Sequence, residues 1–573
     1  MLRLLHHPFE VVSRRLEASP DELKLIFSFL LSYPLAGLLK RVPDAKPYRK
    51  NLFIIGTSIF YLIGLFDLWN GLVTLGMSAG GAYLIAKHLK TSHYMPWVGF
   101  VFVMGHMSFS HIRRQAVNSP SSVDITGAQM VLVMKLSAFC WNVADGQLPD
   151  ELLSDFQKDR ALRELPSILD YAGYILFFPS LFAGPAFDYA EYRRWIDTSM
   201  FDMPPNVDPS KKPPSRKKRR IPRSGTPATF KALIGVFWIA SFVVLSARYG
   251  HQQLLGDSYM HHALWRRIWI MYMVNLVARL KYYGVWTLTE GSCILAGLGY
   301  NGVDPVTGKV SWNRLQNVDP WAVETAQNPR GYLAGWNMNT NSWLRNYVYL
   351  RVTPRGRKPG FRASMMTFVT SALWHGFYPG YYLTFVLASL IQTAAKSKFT
   401  LCPSPRNLHR RMSMGIPMKH CEAGRRLKRV TDFRRLVRPF FLDAISGGPS
   451  PKKKYYDVAS FIVTQLTFAF ATTPFLVLTF TDSIRAWSRV CSYGAVWTVL
   501  ALLFFASPGK AALKAQLEKR QGKASAKLVR SVSTDSLTGK DPILGISKDP
   551  ERDVTEAMAV IKAEVEARQK KAV

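Results

Sequence analysis

Acidic side chains are scarce in this 573-residue chain, where 38 Asp and Glu stand against 74 Lys and Arg for a formal charge of +36. Cysteine is scarcer still. Its five members, Cys140, Cys293, Cys402, Cys421 and Cys491, form no CxxC pair and no metal spacing, which excludes a disulfide framework and a cysteine-based zinc site. No internal repeat of fixed period is present, which argues against an inverted-repeat transporter. The N-terminus lacks a small-residue cleavage site behind an apolar run, so no removable signal peptide is expected and insertion would use the first helices themselves. Disorder is excluded by 48% hydrophobic and 13% aromatic residues.

What is present is segregation. Length alone suggests roughly three or four soluble domains, and the charge alone suggests a nucleic-acid binder. Neither fits, because the apolar residues come in long blocks separated by short basic ones. A bilayer core about 30 Å thick needs roughly 17 to 25 mainly apolar residues per helix. Windows of this kind fall at 25–39, 52–69, 71–86, 97–112, 125–143, 171–187, 228–247, 268–277, 285–298, 365–374, 381–391, 458–480 and 486–506. Several are too short to cross alone, so the expected fold is an all-α, polytopic transmembrane bundle of about 9 to 12 segments, some broken or re-entrant. Pro34 marks the first window as broken or re-entrant. Lys135 and Asn142 mark 125–143 as a helix that faces protein more than lipid. Pro179 and Gly184-Pro185 interrupt 171–187, and such breaks survive in a membrane only where protein or water satisfies the freed backbone groups.

Most of the net charge lies in three short stretches. Residues 205–225 carry Lys211, Lys212, Arg216, Lys217, Lys218, Arg219, Arg220 and Arg223 against Asp208 alone, with five prolines. Residues 401–454 hold 14 basic against 3 acidic side chains, and residues 351–362 hold 5 against none. RKKRR would be a nuclear localisation signal in a soluble chain; in a multispanning one it reads as a cytosolic loop placed by the positive-inside rule. The body of the protein is therefore expected at 1–507, followed by a charged soluble tail at 508–573.

Ionisable groups inside a bilayer are expensive, and functional by default. Of the twelve histidines, only His106 and His375 lie within strongly apolar stretches. His106 has only serines as polar company and reads as a hydrogen-bonded interior histidine. His375 lies in SALWHGFYPGYYLTF, flanked by Gly376 and Gly380 with Pro379 beside it. Small residues there would let a substrate approach the ring, and a neutral imidazole can accept a proton from a hydroxyl. Spacing alone leaves a catalytic and a structural role open. Upstream, GWNMNTNSWLRNYVYLRV packs Asn337, Asn339, Asn341 and Asn346 among aromatics. Asparagine could orient an imidazole or stabilise an oxyanion without a buried charge, or it could simply cap a helix.

These residues carry a resemblance. WHGxxxGY (Trp374, His375, Gly376, Gly380, Tyr381), following WNxxTxxW (Trp336, Asn337, Thr340, Trp343), resembles the membrane-bound O-acyltransferase family. DITGAQMVLVMKLSAFCWNVADG, LPSILDYAGYILFFPSLFAGPAFDYAEYRRW and ARLKYYGVWTLTEGSCILAGLGYNG resemble its lysophospholipid acyltransferase branch, most of all the broad-specificity fungal enzymes. The similarity spans about residues 20–505.

The resemblance implies that His375 is the catalytic histidine and that Asn337 is the second polar residue of the site. It places Trp336, Asn341, Trp343, Trp374, Gly376, Gly380 and Tyr381 along the substrate cavity, with Glu290 and Tyr283 either touching substrate or serving structure. The implied reaction moves an acyl group from acyl-CoA, a co-substrate, to a lysophospholipid hydroxyl, with no cofactor and no metal. Partners are then acyl-CoA, lysophospholipid and membrane lipid, and no nucleic acid. Arg345, Arg351, Arg355, Arg357 and Lys358 are candidates for the CoA phosphates, or for anionic headgroups. The final KKAV, Lys570 to Val573, resembles a dilysine signal for the endoplasmic reticulum and would put the C-terminus in the cytosol. Sterol, diacylglycerol or protein as acceptor, and a transporter, are the alternative readings.

Overall fold

A computed structural model of the chain describes residues 2–16, 19–117, 123–203, 220–353, 359–395, 437–443, 450–509 and 511–520, with single positions at 210, 213, 215, 357 and 522. Arg355, Lys358, Cys402, Cys421, most of 205–220 and of 401–454, and the tail with Lys570 to Val573 lie outside the described residues. Those described are all-α, apart from two isolated bridges, Ser215 with Pro222 and Val303 with Val310. The chain divides into two compact units: Met1–Ser397 with Asp457–Ala501, and Lys398–Tyr456 with Leu502–Val573. In the second, the Arg520 guanidinium donates to the carbonyls of Pro439 and Leu442 at 3.1 and 2.8 Å.

The chain opens with α1 (Leu2–Leu16), α2 (Pro20–Leu39), α3 (Pro47–Ile59, running into a π-turn at Phe60–Leu65), α4 (Trp69–His88) and α5 (Met95–Val117). Then come α6 (Thr126–Asp145) and the short α7 (Asp155–Arg160), α8 (Ile168–Ile175) and α9 (Tyr189–Ile196). α10 (Gly225–Ser246) packs along α11 (Leu264–Ala296), and α12 (Pro320–Glu324), α13 (Pro329–Gly335) and α14 (Met338–Leu344) lead to α15 (Phe361–His375) and α16 (Pro379–Ala395). α17 (Lys453–Val477), α18 (Phe480–Ser488) and α19 (Tyr493–Ala506) follow.

Among the described residues, four helices are long and apolar enough to cross a membrane: α2, α6, α10 and α17. The pair α18 and α19, bent by 82°, makes a fifth if it is one broken span. By length and composition this is fewer than the 9 to 12 segments expected, for identifiable reasons. α3, α15 and α16 run only 13, 15 and 17 residues. α4 and α5 are longer, but Gly, Ser, His and Arg dilute their apolar content.

Three windows differ in kind from the expectation. The first is a continuous helix through Pro34, and two of its side chains bond neighbouring elements. Tyr33 donates to the Leu288 carbonyl at 2.9 Å, and Ser32 bonds the Ser28 carbonyl at 2.7 Å and the Tyr61 hydroxyl at 3.0 Å. The windows 268–277 and 285–298 are one 33-residue helix, α11. The charges that separate them in the sequence have partners, Arg279 on Glu324 at 2.7 Å and Lys281 on Glu22 at 3.1 Å. The window at 171–187 is broken as expected: α8 ends at Ile175 and only a short 3₁₀ turn, Phe178–Ser180, follows.

Burial ranks the spans. The apolar window of α6 is 83% buried and that of α10 only 11%, so α6 is an interior helix and α10 offers Phe230, Leu233, Phe237 and Val244 outward, as a lipid-facing helix does. The interior setting of α6 matches what Lys135 and Asn142 imply, since both are buried. Lys135 donates to the Tyr174 carbonyl and lies over the Tyr174 and Phe187 rings at 4.3 and 4.4 Å. His106 is hydrogen-bonded, with Nδ1 2.8 Å from Ser78 Oγ and Gln129 beside both.

Candidate active site

His375 is the last residue of α15, and Gly376 turns the chain at φ +123°, a region L side chains avoid. Pro379 then opens α16, where its missing N–H costs nothing. The turn folds aromatic rings from three helices around the imidazole. Ring centroids lie at 4.6 Å for Trp374, 5.7 Å for Tyr381, 5.2 Å for Phe385 and 4.9 Å for Phe475. The His375 ring is half-buried, and among the described residues its nitrogens take no hydrogen-bond partner. Its position is thus set by packing against these rings, and its nitrogens are open to a hydroxyl or to water.

Gly376 and Gly380 differ from the expectation that they admit substrate to the ring. A Cβ on Gly376 would lie 3.0 Å from His111 Nδ1. One on Gly380 would lie 2.0 Å from the Pro474 carbonyl oxygen, and the Gly380 N–H donates to Leu478 at 2.7 Å. Protein, then, occupies the space these glycines leave.

Asn337 sits at the N-terminus of α14 in the left-handed region, φ 45° and ψ 57°. Asparagine is among the few residues that tolerate this. Its side chain makes no cap, and among the described residues its amide has no partner. The turn is fixed from outside. Asn317 accepts from the Met338 N–H at 2.7 Å and, through Oδ1, from the Asn339 N–H at 3.0 Å. Asn341 Nδ2 donates to the carbonyls of Leu333 and Trp336 at 2.6 Å each. Trp336 packs on Trp286 at 5.0 Å, Tyr282 at 5.7 Å and Tyr283 at 5.9 Å, all on α11. Asn341 and Trp336 thus hold the turn, and Asn337 presents the free amide.

One face of α6 carries both segments. Met130, Met134, Ser137, Trp141 and Asp145 recur three or four residues apart and so share a stripe. Trp374 donates its indole N–H to the Met130 carbonyl at 3.0 Å and Trp343 to Ser137 Oγ at 2.9 Å, while the two indoles lie 6.2 Å apart. Thr340 meets Met134 Sδ at 3.3 Å. Near the end of α6, the Tyr347 hydroxyl sits 3.0 Å from Asn142 Oδ1 and from Asp188 Oδ1. The His and Asn segments are therefore docked on a common rail.

The other expected site residues fall elsewhere. Arg351 is paired with Asp145, donating to both carboxylate oxygens, and lies over the Trp141 ring at 4.3 Å. Tyr283 donates to Glu324 Oε1 at 2.7 Å, beside the Arg279 pair. Glu290 is buried and pairs with Lys231 of α10 at 2.8 Å. Arg345 and Arg357 are exposed. Among the described residues, no three His, Cys, Asp or Glu side chains gather as a metal-ligand set. Sequence reasoning missed Phe385, Phe475 and His111. Phe385 is four residues after Tyr381 and so shares its helix face, a signal that was there to read. Phe475 comes from a distant helix and leaves no local trace, whereas His111 stands at the edge of the apolar window 97–112, an ionisable group that the sequence did offer.

The family model for membrane-bound O-acyltransferases matches residues 119–417. The chain is 41% identical over 520 residues to a lysophospholipid acyltransferase of Schizosaccharomyces pombe, covering 91% of this chain and 93% of that one. It is 38% identical over 494 residues to a lysophospholipid acyltransferase of Saccharomyces cerevisiae, covering 85% and 74%. Lysophospholipid acyltransferase 5 of Homo sapiens is 30% identical over 389 residues, covering 66% and 73%.

Proposed function

The chain belongs to the membrane-bound O-acyltransferase family, and on that premise we propose that it moves a fatty acyl group from acyl-CoA to the free hydroxyl of a lysophospholipid. The observation that carries the acceptor is the 41% identity, over nearly the full length of both chains, to a protein named for that activity.

In the proposed mechanism an unpartnered ring nitrogen of His375 takes the acceptor's hydroxyl proton. The oxygen attacks the thioester carbonyl carbon, and the tetrahedral intermediate collapses with cleavage of the C–S bond. The departing CoA sulfur takes the proton back from the imidazolium, which returns the histidine to its starting state. The free amide of Asn337 donates to the developing oxyanion, the role for which a neutral, preorganised donor is suited. No acyl-enzyme is required, and buried Cys140 and Cys293 offer no nucleophile. The enzyme would work at the endoplasmic reticulum membrane, with its C-terminus in the cytosol.

The test is purified protein given labelled oleoyl-CoA with a panel of lysophospholipids, diacylglycerol and sterol. Label in phospholipid is expected. Label confined to sterol ester or triacylglycerol would overturn the acceptor.

A further inference from the structure

The residues on either side of His375 touch one and the same side chain, and it comes from α5. His111 lies on the buried face of that helix, in line with Gly99, Val103 and Met107 at four-residue spacing. Its Nε2 is 3.1 Å from the Trp374 carbonyl oxygen. A carbonyl only accepts, so Nε2 carries the proton, and the neutral ring keeps Nδ1 as a lone pair. The last carbonyls of a helix have no partner one turn on. At the end of α15 the Gly376 N–H bonds back to Ala372 and Leu373, which leaves the Trp374 carbonyl to His111. On the other side, Nδ1 lies where a Cβ of Gly376 would come within 3.0 Å. His111 also lies outside residues 119–417, the span the family model matches.

We propose that His111 is a positioning residue for acyl transfer. It caps the carbonyl before His375 and abuts the glycine after it, so that it fixes the backbone from which the catalytic imidazole projects. The four rings around His375 are apolar contacts and set no single ring orientation by hydrogen bonding; the backbone clamp supplies what they do not. The proposal rests on His375 being the base.

The test is steady-state kinetics of the full chain in detergent micelles with oleoyl-CoA and lysophosphatidylcholine, beside a thermal melt of each variant. A misplacement of about 1 Å costs up to about 100-fold in rate, so His111→Ala is expected to lose about 10- to 100-fold in kcat. KM for both substrates should stay within about twofold, the signature of an interaction realised in the transition state. His111→Gln, whose amide N–H can reach the Trp374 carbonyl, should recover most of the loss in kcat, while His111→Ala melts lower than the wild type because it leaves that buried carbonyl without a donor. Full kcat in His111→Ala overturns the proposal, and so does a loss that tracks the melting temperature without recovery in His111→Gln. His375→Ala runs in parallel. A nearly inactive His375→Ala beside a fully active His111→Ala removes the positioning role alone, whereas undiminished turnover in His375→Ala removes the base and the clamp together.

Discussion

Trp343 donates its indole proton to Ser137 Oγ at 2.9 Å, across 206 residues of chain. This one bond ties the asparagine segment to the interior helix that also holds Trp374. Ser137→Ala leaves the buried indole N–H without an acceptor, which costs about 1 to 3 kcal/mol. A lower melting temperature and lower turnover are expected together. An unchanged melt would mean that α6 and α14 are held by packing alone.

The two polar residues of the site should separate by magnitude. His375→Ala removes the proposed base and is expected to leave almost no labelled phospholipid. Asn337→Gly removes one oxyanion donor while sparing the left-handed turn, and is expected to keep a trace, about 10²- to 10³-fold down. Equal losses in the two variants would count against the donor role.

Arg351 lies in a stretch rich in positive charge, but its guanidinium is already satisfied by Asp145. Asp145→Ala should therefore unfold the protein more readily, by about 3 to 5 kcal/mol for a broken buried pair. KM for acyl-CoA in the surviving fraction should not move. Arg345, exposed on the turn after α14, is the better candidate for the CoA phosphates. Arg345→Gln is expected to raise KM for acyl-CoA, and the difference from the wild type should shrink as salt is added. A salt-independent KM would remove it from that role.

Gly380→Ala places a methyl group 2.0 Å from the Pro474 carbonyl oxygen, a backbone atom that cannot rotate away. Overpacking of this kind costs about 1 to 3 kcal/mol. The melt should fall while KM for the lysophospholipid in the folded fraction stays put. A raised KM with an unchanged melt would show that the glycine faces substrate after all.

The chemistry of the site was more legible in the sequence than its framework. WHGxxxGY and WNxxTxxW single out His375 and Asn337 as candidates through the family resemblance, spacing alone leaving a structural role open, and the structure puts both residues on α6-docked segments with unpartnered polar atoms among the described residues. What anchors them is long-range. Nothing near Asn341 in the sequence says that its amide closes the carbonyls of Leu333 and Trp336. Nothing near Arg351 says that Asp145 will claim it. The span count suffered from a similar cause. Hydropathy treats Arg279 and Lys281 as interruptions, whereas Glu324 and Glu22 let α11 run through them.

The left-handed backbone at Asn337 restricts what evolution or an engineer can put there. Position 337 must satisfy a conformational demand before any chemical one. Val, Ile or Thr at φ 45° would strain the turn whatever their polarity, while Asn, Asp and Gly enter it at low cost. In a saturation library at this position most members should thus lose about 1 to 2 kcal/mol of stability, and active members should be few. The substitution that deletes the amide while sparing the turn is glycine, because alanine changes both at once. Tolerance at 337 is in effect two sieves in series, one for shape and one for function.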